Sequence, residues 1–208
     1  MTDLKLLRIH CPIPGDLETI LKCIHVPQFK NLDTVQLSVH STLQVVATDG
    51  SGHTFGFSQL TEDGPNFYPL RHLGAEVTTV RLDRGMTIEG LGCRPGLFKF
   101  FHSLGPVRVL EFDGAVSSVK TVFFDILSVA GVFRGLKVLR VVIGWDSCKE
   151  ALELLAELSR ERMEEGNPFS AIEPLSAGGV GEGWLDPELR AEWEKHYEAQ
   201  GIQNFLFK

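Results

Sequence analysis

A basic excess is missing from this 208-residue sequence: 20 lysines and arginines stand against 27 acidic residues, a formal net charge of −7. A nucleic-acid surface normally needs a basic face, so nucleic acid is not an expected partner. No run of about 18 apolar residues occurs, and a membrane span is therefore not expected. Met1-Thr-Asp-Leu-Lys leads straight into a strand-like segment without the apolar core of a signal peptide. Such a start fits either a very compact domain or a chain that lacks something upstream. Cysteine is sparse as well. Cys11, Cys23, Cys93 and Cys148 show no metal-ligand spacing and are too few for a disulfide scaffold. Reduced, mostly buried thiols in a cytoplasmic or nuclear protein are the expectation.

Motifs that carry chemistry are lacking too. Seven histidines, at 10, 25, 40, 53, 72, 102 and 196, form no His-Glu-x-x-His motif and no cluster with cysteine, so no metal site is expected. Gly90-Leu-Gly92-Cys-Arg-Pro-Gly96 has the wrong spacing for a dinucleotide loop, and Pro95 removes an N–H that would face phosphate. Gly178 to Gly183 lacks the Lys-Ser/Thr ending of a phosphate loop. No Gly-x-Ser-x-Gly elbow is present, and Cys23 and His25, two apart on a helix, do not face each other. Glu161 to Glu165 reads as the wet end of a helix. No catalytic residue, cofactor or metal is expected.

What the chain does contain is a repeat. The pattern apolar-x-x-apolar-x-apolar occurs at Leu4-Lys-Leu-Leu7-Arg-Ile9, Leu32-Asp-Thr-Val35-Gln-Leu37 and Val77-Thr-Thr-Val80-Arg-Leu82. Two more copies are Val107-Arg-Val-Leu110-Glu-Phe112 and Leu136-Lys-Val-Leu139-Arg-Val141. Their starts at 4, 32, 77, 107 and 136 are separated by 28, 45, 30 and 29 residues. Three of these intervals match the upper end of the leucine-rich-repeat period, which favours repeats that contain a helix.

Helical patterns fill the intervals. Asp16 precedes Leu17, Ile20, Leu21 and Ile24; Pro95 precedes Leu97, Phe98, Phe100 and Phe101. Val119, Val122, Phe123, Ile126, Leu127 and Ala130 trace one face. Ser147-Cys-Lys-Glu150 has capping-box spacing ahead of Ala151, Leu154, Leu155 and Leu158. The long interval holds two β-prone runs, 42–48 and 53–58, around Asp49-Gly-Ser-Gly52, which predicts an inserted hairpin over about 42–58. Gly64-Pro65 marks a loop after it. Residues 166–185 read as a Gly-rich linker, and 186–208 as a charged capping helix and tail that shields the open end of residues 1–165.

The fold expected is α/β: a short leucine-rich-repeat-like solenoid with a parallel sheet on its concave side, helices on its convex side and the hairpin inserted. Strand alternation buries Leu7, Ile9, Val35, Leu37, Val80, Leu82, Leu110, Phe112, Leu139 and Val141. Arg8, Gln36, Arg81, Glu111 and Arg140 then form a central column on the open face. Leu6, Thr34, Thr79, Val109 and Val138 precede it; His10, Ser38, Asp83, Asp113 and Val142 follow it. Arg81, Glu111 and Arg140 are placed to pair across strands. Arg8, Gln36, Arg81, Asp83, Glu111, Asp113 and Arg140 are the candidate partner-binding residues.

The strands, their spacing and the segment Leu43-Gln-Val-Val-Ala-Thr-Asp-Gly-Ser-Gly-His-Thr-Phe together resemble the leucine-rich-repeat regions of fungal F-box proteins, over roughly residues 1–160. The resemblance implies a non-catalytic module that recognises a protein substrate for ubiquitin transfer. The chain departs from that family in showing no recognisable F-box, so a ubiquitin-ligase adaptor is an expected partner only if an F-box lies upstream. The alternative is a small α/β enzyme with a conventional parallel sheet. Strand order separates the two, because an enzyme of that class needs helices on both faces and a topological switch point.

Overall fold

A computed structural model describes residues 6–11, 34–39, 42–48, 54–60, 77–82, 94–104, 106–113, 126–127, 132–143, 148–176 and 186–199. Eight strands form one sheet: β1 (Leu6–Cys11), β2 (Thr34–Val39), β3 (Thr42–Thr48), β4 (Thr54–Leu60), β5 (Thr79–Leu82), β6 (Val109–Asp113), β7 (Val138–Ile143) and β8 (Ala171–Ser176). The helices among the described residues are α1 (Arg94–Ser103), α2 (Cys148–Glu164) and α3 (Pro187–Ala199). The expected helices over 16–24 and 119–130 lie outside the described residues, apart from Ile126 and Leu127, which are buried.

Strand order across the sheet is β1-β4-β3-β2-β5-β6-β7-β8. From β2 through β5, β6 and β7 to β8 every pairing is parallel. The strands of the five repeats therefore follow one another in spatial order, with the hairpin between the first and the second. The fold is α/β as expected.

One backbone device recurs along the parallel run. Thr78 O accepts the N–H groups of both Arg108 and Val109, at 2.7 and 3.0 Å. Arg108 O accepts those of Lys137 and Val138, both at 2.9 Å, and Lys137 O those of Ser170 and Ala171, at 2.7 and 3.2 Å. Each carbonyl just before a strand thus gathers the two donors that open the next one. Register passes along the chain in this way, because a slip of one residue would carry every apolar side chain to the wrong face.

Alternation fills one face with apolar residues. Val80, Leu82, Leu110, Phe112, Leu139, Val141 and Ile172 are all buried, and they share one core with Phe100 and Phe101 of α1 and Ala151, Leu152 and Leu155 of α2. Leu7 and Ile9 are half-buried against that core. The side chains of Val35 and Leu37 lie outside the described residues. Burying each such aliphatic side chain contributes about 1.5–3 kcal/mol, which is why the face is fixed so firmly. Phe133 links α1 to the turn before β7, its ring 4.9 Å from that of Phe101. It does so at a φ of 50°, a left-handed conformation that a bulky residue adopts only when packing holds it there.

Two expectations about layout need correction. The hairpin is present, but it is not an excursion: β3 pairs antiparallel with β2, and β4 pairs antiparallel with β3 and parallel with β1. Val45 and Phe57 stand at the register level of Leu37 and Ile9. Off the sheet these apolar positions would have no core to join, so the hairpin becomes two of its strands. Arg8 is consequently not a neighbour of Gln36. The second correction concerns residues 166–185, read as linker. They contain β8, which pairs with β7 over six residues; Gly178 to Gly183 lie outside the described residues.

Helix α2 carries a wide buried stripe, Ala151, Leu152, Leu155, Ala156, Leu158 and Ser159, because it packs against both the sheet core and α3. Tyr197 of α3 is fully buried and donates its hydroxyl to Leu152 O at 2.7 Å. Helix α2 stops at a Schellman turn. Asn167 N bonds to Arg162 O and Gly166 N to Met163 O, with Gly166 at φ 73°. Asn167 then ties this turn to the entry of β7, donating to Arg134 O at 3.0 Å and accepting from Lys137 Nζ at 3.4 Å. Helix α3 begins where expected, with the Asp186 carboxylate accepting from Glu188 N at 2.8 Å as its N-cap.

Candidate functional site

The face opposite the core is ordered by register. A single level runs Arg8, Gly56, Val46, Gln36, Arg81, Glu111, Arg140 and Glu173 across all eight strands. Five of the candidate residues therefore share one line, with neighbouring strands about 4.8 Å apart. Arg8 stands alone at one end, separated from Gln36 by the hairpin's Gly56 and Val46. Side chains on this level are exposed or half-buried until the last, because the level points away from the core.

Charges alternate along the second half of the line. Arg81 Nε lies 3.3 Å from Glu111 Oε2, as the sequence predicts. Arg140 instead bonds through Nε to Glu173 Oε2 at 2.9 Å. Exposure falls from 47% for the Arg81 side chain to 9% for that of Glu173. The first pair is therefore screened and contributes at most about 1 kcal/mol. The second sits where screening is weak, and a carboxylate there needs its cation.

Glu173 is the site residue that sequence reasoning missed. The signal was present: Phe169-Ser-Ala-Ile172-Glu-Pro174 repeats the apolar pattern 33 residues after Leu136. Its third apolar position is proline, a residue that argues against a strand, and the interval is stretched by the 17-residue α2. Two other candidates have side chains outside the described residues. Asp83 lies outside the described residues. Asp113 stands on β6 opposite Val142, but its side chain lies outside them too.

The flanking levels divide this face into two chemistries. On one side Leu6, Thr54, Thr48, Thr34, Thr79, Val109, Val138 and Ala171 share a level, so four threonines stand on adjacent strands from β4 to β5. On the other, His10, Ser38, Gln44 and Ser58 share one level, while Asp113, Val142 and Leu175 share another. By residue type, the first of these levels carries threonine on β4, β3, β2 and β5 and aliphatic residues on β6, β7 and β8.

Among the described residues, no three His, Cys, Asp or Glu side chains are grouped to hold a metal ion, and no helix is long and apolar enough to cross a membrane. Comparison with protein-family models, with curated proteins and with solved structures gives no match for this chain.

Proposed function

We propose that this chain is a non-catalytic protein-recognition module built as a leucine-rich-repeat-like solenoid, and that it binds a protein partner across the outer face of its sheet. One observation carries the reading: a single register level holds Arg8, Gln36, Arg81, Glu111, Arg140 and Glu173 on the face turned from the core. Three further features support it. The repeat strands keep sequential order, the same two-donor carbonyl device opens β6, β7 and β8, and the buried residues of α1 and α2 join one core with one face of the sheet. Open rows of mixed polar and apolar side chains on such scaffolds are where partners bind.

The resemblance to fungal F-box receptors narrows the role to choosing a substrate for ubiquitin transfer in the cytoplasm or nucleus. The adaptor of the ligase joins only through an F-box encoded upstream. A conventional α/β enzyme is the competing class, and it calls for a reversal of strand order that opens a crevice. The parallel run from β2 to β8 adds each strand on the same side of the last.

The test is capture of partners by the intact chain and by a triple variant, Arg8→Ala, Arg81→Ala and Glu111→Ala. These residues are exposed or half-buried, so the variant keeps the fold. Specific loss of a partner that the wild type retains is expected. A partner profile unaffected by the three substitutions removes this face from the proposal.

A further inference from the structure

Among the described residues, one buried cation has donors without a hydrogen-bond partner. Arg162, in the last turn of α2, is only 6% exposed. Its Nε and Nη2 atoms are buried and have no hydrogen-bond partner. Other arginines behave differently: Arg81, Arg140 and Arg190 each direct Nε at a carboxylate, at 3.3, 2.9 and 2.8 Å, although all three are more exposed.

The two empty donors are not a random pair. Nε–H and one Nη2–H lie side by side on one edge of the planar guanidinium and point the same way. That fork matches two oxygens of a carboxylate or a phosphate. The face of the group is already occupied, since Phe169 places its ring centroid 5.4 Å from Cζ. A cation–π contact of this kind steadies the charge but supplies no acceptor to the edge. Losing the proton is no escape for arginine: burial lowers its pKa, the nearby Glu165 charge opposes the change, and the group stays cationic at neutral pH. Glu165 makes no hydrogen bond to the fork. Among the described residues, the other buried side-chain atom without a partner, Trp193 Nε1, is also a donor.

We infer that Arg162, with Phe169 against its face, binds a small oxyanion of carboxylate or phosphate type, held bidentate by Nε and Nη2. The site lies where α2 turns into β8, beside the Asn167 contacts to Arg134 and Lys137. An anion there joins the last turn of α2 to the start of the edge strand.

Thermal unfolding of the intact chain tests this, with inorganic phosphate or acetate against chloride at matched ionic strength. Wild type, R162M and R162K are compared. The wild type is expected to gain about 3–6 °C when an anion reaches ten times its Kd. R162M should lose this gain, and R162K should keep only part of it, because an ammonium has no fork. Phosphate also stabilises proteins by exclusion from their surfaces, so the difference between variants is the readout. Equal responses of wild type and R162M, or no response in the wild type, overturn the site and leave the fork to water. Which anion acts separates carboxylate from phosphate recognition. Should R162M not fold, nitrogen-15 spectra of the arginine Nε–H groups decide on wild type. The one resonance that R162K lacks must shift saturably with phosphate or acetate; a resonance that stays in place overturns the proposal.

Discussion

Arg81 on β5 and Arg140 on β7 occupy equivalent places either side of β6, yet their partners give them different weight. Glu111 keeps 23% of its side chain exposed, whereas Glu173 keeps 9%. Arg81→Met should therefore change unfolding free energy by about 0–1 kcal/mol, while Arg140→Met should lower it by about 1–3 kcal/mol by leaving a buried carboxylate without its cation. Urea denaturation of the two variants side by side measures the difference, and equal costs would show that burial does not govern these pairs. The Arg81–Glu111 contact was legible in the sequence because both repeats share one phase. The Arg140–Glu173 contact was not, because proline at 174 hid the strand that carries Glu173.

At the scale of elements, the ends of α2 and the outer edge of β8 are specified by single residues. Gly166 takes a left-handed conformation in open space, with no atom within 4 Å of where a Cβ would stand. Gly166→Ala should thus cost about 1 kcal/mol, from backbone conformation alone. A larger loss in calorimetry would point to packing that the turn does not display. Pro174 has a different task. Ala171 N–H is turned towards β7, so by period-two alternation position 174 faces away from β7, where a missing N–H breaks no ladder bond. Pro174→Val should therefore leave the β7–β8 ladder intact, as hydrogen exchange of the β8 amides would show. The hairpin's two strands were legible from Asp49-Gly-Ser-Gly52 and the runs beside it. Their place inside the sheet was not, since alternation reports which face a residue takes and says nothing of which strand lies next to it.

Considered whole, the described part of the molecule is one sheet that shares its core with α1 and α2, with α3 packed on α2. Tyr197 and Trp193 are buried, and Leu152, Ala156 and Ser159 of α2 are buried as well. A chain ending at residue 165 loses β8 and α3 together and uncovers Leu139, Val141 and Leu152 at its end. It is expected to aggregate or to lose cooperative unfolding, as circular dichroism and gel filtration would report. Retention of a sharp transition would mean that the units before β8 suffice. The apolar faces of β5, β6 and β7 followed directly from the repeat, because each is a local pattern read against one core. The closing of the array depends on contacts such as Tyr197 to Leu152, 45 residues apart, and no local pattern announces those.

The shared carbonyls at Thr78, Arg108 and Lys137 have a bearing on how such a chain changes length. Each one hands the next strand its alignment without reference to any strand further back. A duplicated stretch that runs from one such carbonyl to the next, for instance residues 108–136, would slot in with both of its neighbours already aligned. A stretch that begins or ends elsewhere in the repeat would break the hand-over. The outer face of the sheet therefore lengthens or shortens in whole strands of about 4.8 Å, like a ruler cut only at its marks.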